Sequence, residues 1–236
     1  MRFEGKPLAD KTGQPLIQHV VEQVARARSI ADIIVATDDQ RIVSAVESFG
    51  AKVVLTRPDH PNGTSRIAQV VHDLQTQVSG LIVNVQGDEP EIDPGVIDEL
   101  VAGLVADPDA PMATLASEFA DDEDPSDHNI VKVIMDQHNR AIYFSRSLIP
   151  YDRDGCGIRP LRHPGVYAYR RDFLLTYVKL QPTPLEQIEQ LEQLRAIEHG
   201  YKITVIKTRV HHHGIDTPQQ YDAFVKRWRS EHMHPT

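Results

Sequence analysis

From Asp32 onward, short β-branched runs alternate with longer stretches of helical period, and this alternation constrains the fold more than any other feature of the chain. It is the sequence form of βαβ units. Ile33 to Thr37 (IIVAT) reads as a strand, and Gln40 to Gly50 sets Ile42, Val43, Val46 and Phe49 on one helical face before a glycine suited to the C′ position. Lys52 to Leu55 returns to the sheet. Thr64 is the expected N-cap of a helix carrying Ile67, Val70, Val71 and Leu74, and Leu81 to Val85 follows as a buried central strand. Pro94 fits the first position of the next helix.

The strict alternation then breaks. After a strand at Met112 to Ala116, the acidic stretch Ala120 to Pro125 reads as a solvated loop, and VKVIMD and AIYFS at Val131 and Ala141 read as a hairpin. Tyr151 to Pro160 is the most loop-like internal stretch. A strand at VYAY follows, and Leu185, Ile188, Leu191, Leu194 and Ile197 predict one helix ending at Gly200. A strand at Lys202 to Ile206 and a helix at Asp216 to Trp228 close the chain. The expected architecture is α/β, with three layers around a mixed, mostly parallel sheet. At ~150 residues per domain, the 236 residues are read as a single domain, 1–236, with an inserted hairpin and dimerisation region around 117–170.

Twenty-five Lys and Arg against 34 Asp and Glu give a net charge of −9, and no dense basic run occurs, so a duplex-binding surface is excluded. Any anionic substrate must be met by a local basic pocket or a metal ion. A single cysteine, Cys156, excludes an internal disulfide, and neither a signal peptide nor an apolar run of about 18 residues is present, so a cytoplasmic, membrane-free protein is expected.

In open α/β folds, ligands bind beyond the carboxyl ends of strands. There, after LIVNV, stand Gln86, Gly87 and Asp88. Asp88 is a hard oxygen ligand suited to Mg²⁺ shared with phosphates, but Asp88 or Glu89 could equally cap the next helix. Asp216, in GIDTP, has the same two readings, with capping by Asp216 or Thr217 favoured locally. Lys6 lies between a glycine and a proline, a loop cation able to meet phosphates, although the spacing is not that of a P-loop. His211 and His213 could share a strand face as a metal pair, yet read better as ordinary strand and loop residues. Of the aromatics Tyr143, Phe144, Tyr167 and Tyr169, only Tyr167 is given a ligand role. Cys156 has no partner in sequence that would make it a catalytic thiol.

GKPL, ATDD, HPNGTSR, NVQGDEP, YFSRSLIP, RHPGVYAYR, PLEQIEQLEQLR and GIDTP occur in that order from Gly5 to about Phe224. Together they resemble the bacterial 3-deoxy-manno-octulosonate (Kdo) cytidylyltransferases. The resemblance implies a glycosyltransferase-A-like nucleotide-diphospho-sugar transferase fold, a homodimer, a Mg²⁺ requirement, and transfer of CMP from CTP to Kdo with release of pyrophosphate, for lipopolysaccharide synthesis. By position it implies Asp88 and Asp216 as metal ligands and Lys6 and Arg2 as triphosphate contacts. Gln86, Gly63, Thr64 and Arg66 fall where nucleotide and sugar are held, and Arg153, His163, Tyr167, Glu192 and Gln193 around Kdo. Family members begin with a strand and an arginine-containing loop before GKPL, and this chain starts inside that step, with Glu4 where a proline is usual. A natural start upstream of Met1 is therefore expected. The rivals are a cytidylyltransferase for another 2-keto sugar acid, such as sialic acid or 8-amino-Kdo, and a truncated, non-catalytic sugar-nucleotide-binding homologue.

Overall fold

The computed structural model describes residues 3, 5–74, 80–121, 123–157, 159–210 and 214–232. The chain divides into two compact units, one made of Met1–Arg66, Gln86–Gly95 and His212–Thr236, the other of Ile67–Val85 and Val96–His211.

In the first unit, a short 3-10 turn at Lys6–Leu8 precedes helix α1 (Leu16–Val24), strand β1 (Ile34–Thr37), helix α2 (Gln40–Ser48) and strand β2 (Lys52–Leu55). The strands β1 and β2 pair in parallel with Ile34 opposite Lys52, as the alternation predicts. Asp39 starts α2 because its carboxylate accepts from the Arg41 amide at 2.8 Å. Helix α8 (Pro218–His232) contributes Tyr221, Phe224 and Val225 to a small core with Leu16 and Ile215. His19 closes that core, its ring 5.2 Å from Phe224 and its Nε2 2.7 Å from the Thr12 hydroxyl.

The second unit holds β3 (Leu81–Asn84), β4 (Met112–Glu118), β5 (Lys132–Met135), β6 (Ala141–Ser145), β7 (Leu161–Arg162), β8 (Tyr167–Arg170) and β9 (Ile203–Thr208). The seven strands run in the order β3-β8-β4-β7-β5-β6, with β9 paired to β4. Strands β3, β4, β5 and β9 share a direction, but the expected predominance of parallel pairing is corrected in detail. Only β4 and β9 pair in parallel, because β8 inserts antiparallel between β3 and β4 and β7 between β4 and β5. The β5–β6 hairpin is present as predicted.

Helix α3 (Gly63–Asp73) begins one residue before the expected cap: Asn62, not Thr64, accepts from the Ser65 amide through its side chain, leaving Thr64 buried. Helix α4 (Pro94–Ala106) starts at Pro94 as predicted, and Arg170 of β8 donates to the Leu104 and Asp107 carbonyls at its far end. The remaining helices are α5 (Arg171–Tyr177), α6 (Pro184–Glu189) and α7 (Gln193–Glu198). The single helix predicted over Pro184 to Gly200 is thus two. Apolar positions spaced by three fall short of a full turn by about 60° at each step, so one straight helix would carry the row away from the core. The chain breaks at Gln190 (φ 54°, ψ 46°), burying Leu191 and Leu194 and leaving Ile188 exposed. Tyr167, Tyr169, Phe173, Leu174, Leu194 and Ile203 belong to the core of this unit.

A Cβ on Gly103 of α4 would lie 2.5 Å from Cγ1 of Ile206 on β9. Gly103→Ala is therefore expected to lower stability by about 1–3 kcal/mol despite alanine's better helix propensity, read as a lower urea midpoint at unchanged slope.

Candidate active site

Three loops of the first unit converge on one ammonium group. Gly5 has φ +67°, a left-handed conformation that glycine takes without strain, and the turn it makes presents Lys6 ahead of Pro7. The Lys6 Nζ lies 2.7 Å from Asp88 Oδ2 and 3.3 Å from Asp216 Oδ1. The Asp88 and Asp216 loops are joined by the Ile215 amide, which donates to the Asp88 carbonyl at 2.8 Å. Gly214 permits this approach, since a Cβ there would sit 3.1 Å from Glu89 Oε1.

Neither aspartate is a helix cap. Helix α8 is capped by Thr217, whose hydroxyl accepts from the Gln220 amide while Gln220 Oε1 accepts from the Thr217 amide, a reciprocal capping box. Helix α4 is capped by Asp93, which accepts from Gly95 at 2.7 Å. The capping reading at GIDTP thus holds through Thr217 and not Asp216, and the one at Asp88 or Glu89 is corrected, because Asp93 already holds the first-turn amide of α4. Asp88 and Asp216 are left with their carboxylates around Lys6, a set of two anions and one cation.

Around this set, the Gln86 side-chain amide lies 3.7 Å from where a Gly63 Cβ would stand, so Gln86 flanks the start of α3. The Arg66 guanidinium is fixed by the Thr56 hydroxyl at 2.6 Å and by Asp38 at 3.0 Å. Arg2 and the histidines 211–213 lie outside the described residues.

The second unit gathers a buried polar cluster of its own. Thr114 donates its hydroxyl proton to the Val166 carbonyl at 2.8 Å, so its oxygen accepts from His163 Nε2 at 2.9 Å, which assigns the Nε2–H tautomer. The His163 ring stands edge-on to Phe144 and 5.5 Å from Tyr167. Burial, helped by the charge of Arg162, pushes its pKa down to about 3, so it is a neutral donor at physiological pH. Burial also raises the Tyr167 hydroxyl well above its usual range, with Tyr169 and Glu192 adding to the effect. Gln193 is buried, and its Nε2 has no hydrogen-bond partner among the described residues. Arg153 is not brought to this cluster: it is exposed and 4.0 Å from Asp154.

The sequence reading passed over the contacts that hold Glu192 and Gln193. Glu189 accepts from the Ser145 hydroxyl at 2.6 Å and the Arg146 amide at 2.9 Å, and Arg146 Nε donates back to the Glu189 carbonyl at 2.8 Å. The signal was the three-residue apolar spacing, which a continuous helix does not satisfy.

A family model described as "Cytidylyltransferase" matches residues 1–203. The 3-deoxy-manno-octulosonate cytidylyltransferase of Syntrophobacter fumaroxidans is 47% identical over 226 residues, covering 95% of this chain and 90% of that protein. The chain belongs to the 3-deoxy-manno-octulosonate cytidylyltransferase family. The enzyme of the same name from Solibacter usitatus is 46% identical over 97% of this chain and 90% of its own length. A solved CMP:2-keto-3-deoxy-manno-octonic acid synthetase in complex with CTP superposes with a TM-score of 0.91 at 40% identity, covering 98% of this chain and 94% of that one. The 4-diphosphocytidyl-2C-methyl-D-erythritol synthase of Anaerococcus prevotii, at 13% identity and a TM-score of 0.62, shares the fold. The family assignment makes this chain a nucleotidyltransferase, with the nucleotide-diphospho-sugar transferase fold that its motifs imply.

Because His163 is neutral when folded and protonates more readily when unfolded, the unfolded state binds the extra proton at acid pH. Its stabilising contribution is complete above about pH 6.5 and declines toward pH 3, with a slope of up to about 1.4 kcal/mol per pH unit. Urea unfolding between pH 7 and 4 should show this component, and His163→Gln should flatten it.

Proposed function

We propose that this chain transfers CMP from CTP to the anomeric hydroxyl of Kdo, releasing pyrophosphate, in the cytoplasm and for lipopolysaccharide assembly. The observation that carries this reading is the Lys6 ammonium between Asp88 and Asp216, in a chain whose family names CTP-dependent transfer. CTP carries about four negative charges and Kdo is a carboxylate, so both must be held against the field of an acidic protein. Lys6, with Arg2, offsets charge on the departing pyrophosphate. Gln86 and the Gly63–Thr64–Arg66 turn hold the nucleotide. The open Gln193 Nε2 donates a neutral hydrogen bond to the sugar acid, with Tyr167 and Glu192 as further contacts and His163, whose one N–H is given to Thr114, as a neutral acceptor. The anomeric oxygen bonds to the α-phosphorus, the bridging oxygen leaves with pyrophosphate, and the hydroxyl proton is lost to solvent.

Asp88 and Asp216 also suit Mg²⁺. Their oxygens are hard ligands directed at one point already occupied by a cation, and among the described residues no third His, Cys, Asp or Glu joins them. That leaves remaining positions to water and phosphate, the arrangement Mg²⁺ favours. Bound there, Mg²⁺ would neutralise phosphate charge and polarise the α-phosphorus.

A homodimer is part of this reading. The second unit exposes Ile142, Leu148, Tyr151 and Ile188, apolar side chains on β6, the segment after it and α6, which a second copy would cover. Among the described residues, no helix is long and apolar enough to cross a membrane.

Pyrophosphate release with CTP, Kdo and MgCl₂ tests the activity, with UTP and sialic acid as controls. Asp88→Asn, Asp216→Asn and Lys6→Met are each expected to lower kcat by about 10²-fold or more while circular dichroism is retained. No release by the wild-type chain overturns the proposed reaction, and full turnover in Asp88→Asn overturns the metal assignment. Sedimentation should show a dimer that Tyr151→Glu with Leu148→Glu weakens.

A further inference from the structure

Glu189 stands at the end of α6, one residue before the left-handed Gln190 and three before Glu192. Its carboxylate receives the Arg146 amide, the Ser145 hydroxyl and, at 3.4 Å, the Tyr143 hydroxyl. Arg146 completes the clasp from the other side: Nε donates to the Glu189 carbonyl, Nη2 reaches the Gln190 carbonyl at 3.4 Å and Nη1 the His128 carbonyl at 3.1 Å.

The anchor end is itself held. The fully buried Lys132 ammonium donates to the carbonyls of Asp127, Ile130 and Arg146, the last at 2.5 Å. The far side of the turn is held as well, by Tyr177 Oη donating to the Glu192 carbonyl at 2.6 Å and by Arg195 Nε donating to Glu186 at 2.8 Å. Between these fixed points lies a buried Gln193 Nε2 with no hydrogen-bond partner among the described residues. A buried donor left open is costly, and a bound ligand removes that cost.

We infer that Glu189 is a positioning residue for the sugar acid: by clasping the α6–α7 turn to the end of β6, it sets Glu192 and Gln193 for the incoming hydroxyls and carboxylate. The inference rests on the proposed reading that Gln193 contacts Kdo. Glu189 does not touch substrate, so its removal should weaken binding of one substrate and not the other.

The test is steady-state kinetics of the full chain, titrating Kdo and CTP separately in Glu189→Ala, Glu189→Gln, Gln193→Ala and the Glu189→Ala/Gln193→Ala double variant. Glu189→Ala is expected to raise KM for Kdo about tenfold while KM for CTP stays within about twofold. Glu189→Gln keeps one acceptor, which can take the Arg146 amide while the new NH2 group donates to the Ser145 hydroxyl, and should recover part of the loss. In the double variant, KM for Kdo should exceed that of Gln193→Ala by no more than about twofold, since Glu189 acts through the turn that Gln193 occupies.

Both KM values unchanged, with only a lower Tm and active fraction, would show a merely structural role and overturn the inference. Should Glu189→Ala not fold, Ser145→Ala removes one donor to the carboxylate and is expected to raise KM for Kdo alone by about two- to fivefold; no change there overturns the inference equally. Gln193→Ala separates the two levels. If it leaves KM for Kdo untouched, the reading of the sugar site fails; if it raises KM for Kdo while Glu189→Ala and Ser145→Ala do not, only the positioning inference fails.

Discussion

The ammonium of Lys6, shared between Asp88 and Asp216, is the contact on which the proposed nucleotide site depends. Two carboxylates placed around one point in a chain of net charge −9 repel each other and any phosphate. A cation offsets that repulsion and keeps the three loops in register. The set remains one charge negative, so it accepts a further cation readily and a bare triphosphate poorly. That asymmetry is the physical ground for proposing a divalent ion at this set, rather than a purely basic pocket of the kind P-loops build from glycines and lysine.

Helix capping is what frees those aspartates. An aspartate just before a helix ordinarily spends its oxygens on the first-turn amides. Here Thr217 with Gln220 and Asp93 with Gly95 supply that function, at one or a few residues' distance from the functional carboxylates. The local sequence GIDTP holds both residues side by side, which is why local reasoning could not separate cap from ligand. The order of the motifs along the chain points to the ligand reading, because a match of eight segments in register implies roles for positions that a single turn leaves ambiguous.

What was legible followed period and loop chemistry. The β1–α2–β2 unit, the β5–β6 hairpin and α4 with its leading proline were legible because each is determined by residues within a dozen positions of one another. What was not legible depended on distant partners. Nothing within VYAY says that β8 inserts between β3 and β4, since a strand buried on both faces carries no mark of its neighbours' direction. The break at Gln190 likewise depends on Arg146 and Ser145, more than 40 residues earlier. The charge state of His163 was not legible, because burial between Phe144 and Tyr167, helped by the charge of Arg162, holds it neutral.

That neutrality bears on how an acidic protein can recognise an acidic sugar. A buried imidazolium would attract a carboxylate strongly but would be expensive to hold when the site is empty. A neutral Nε2–H fixed by Thr114, with an amide of Gln193 kept open beside buried apolar residues, gives direction without stored charge. The Gln193 donor then has no partner to exchange for a ligand, while the His163 N–H stays with Thr114 and keeps the cluster's geometry set. On the proposed reading, selectivity for a sugar acid over other anions rests on the placement of neutral groups, while the strong charges, Lys6 with its two aspartates, face phosphate. The proposed site would then treat two anionic substrates by two different physical means, and the Arg146–Glu189 clasp would belong to the one where position rather than charge is the quantity to be held.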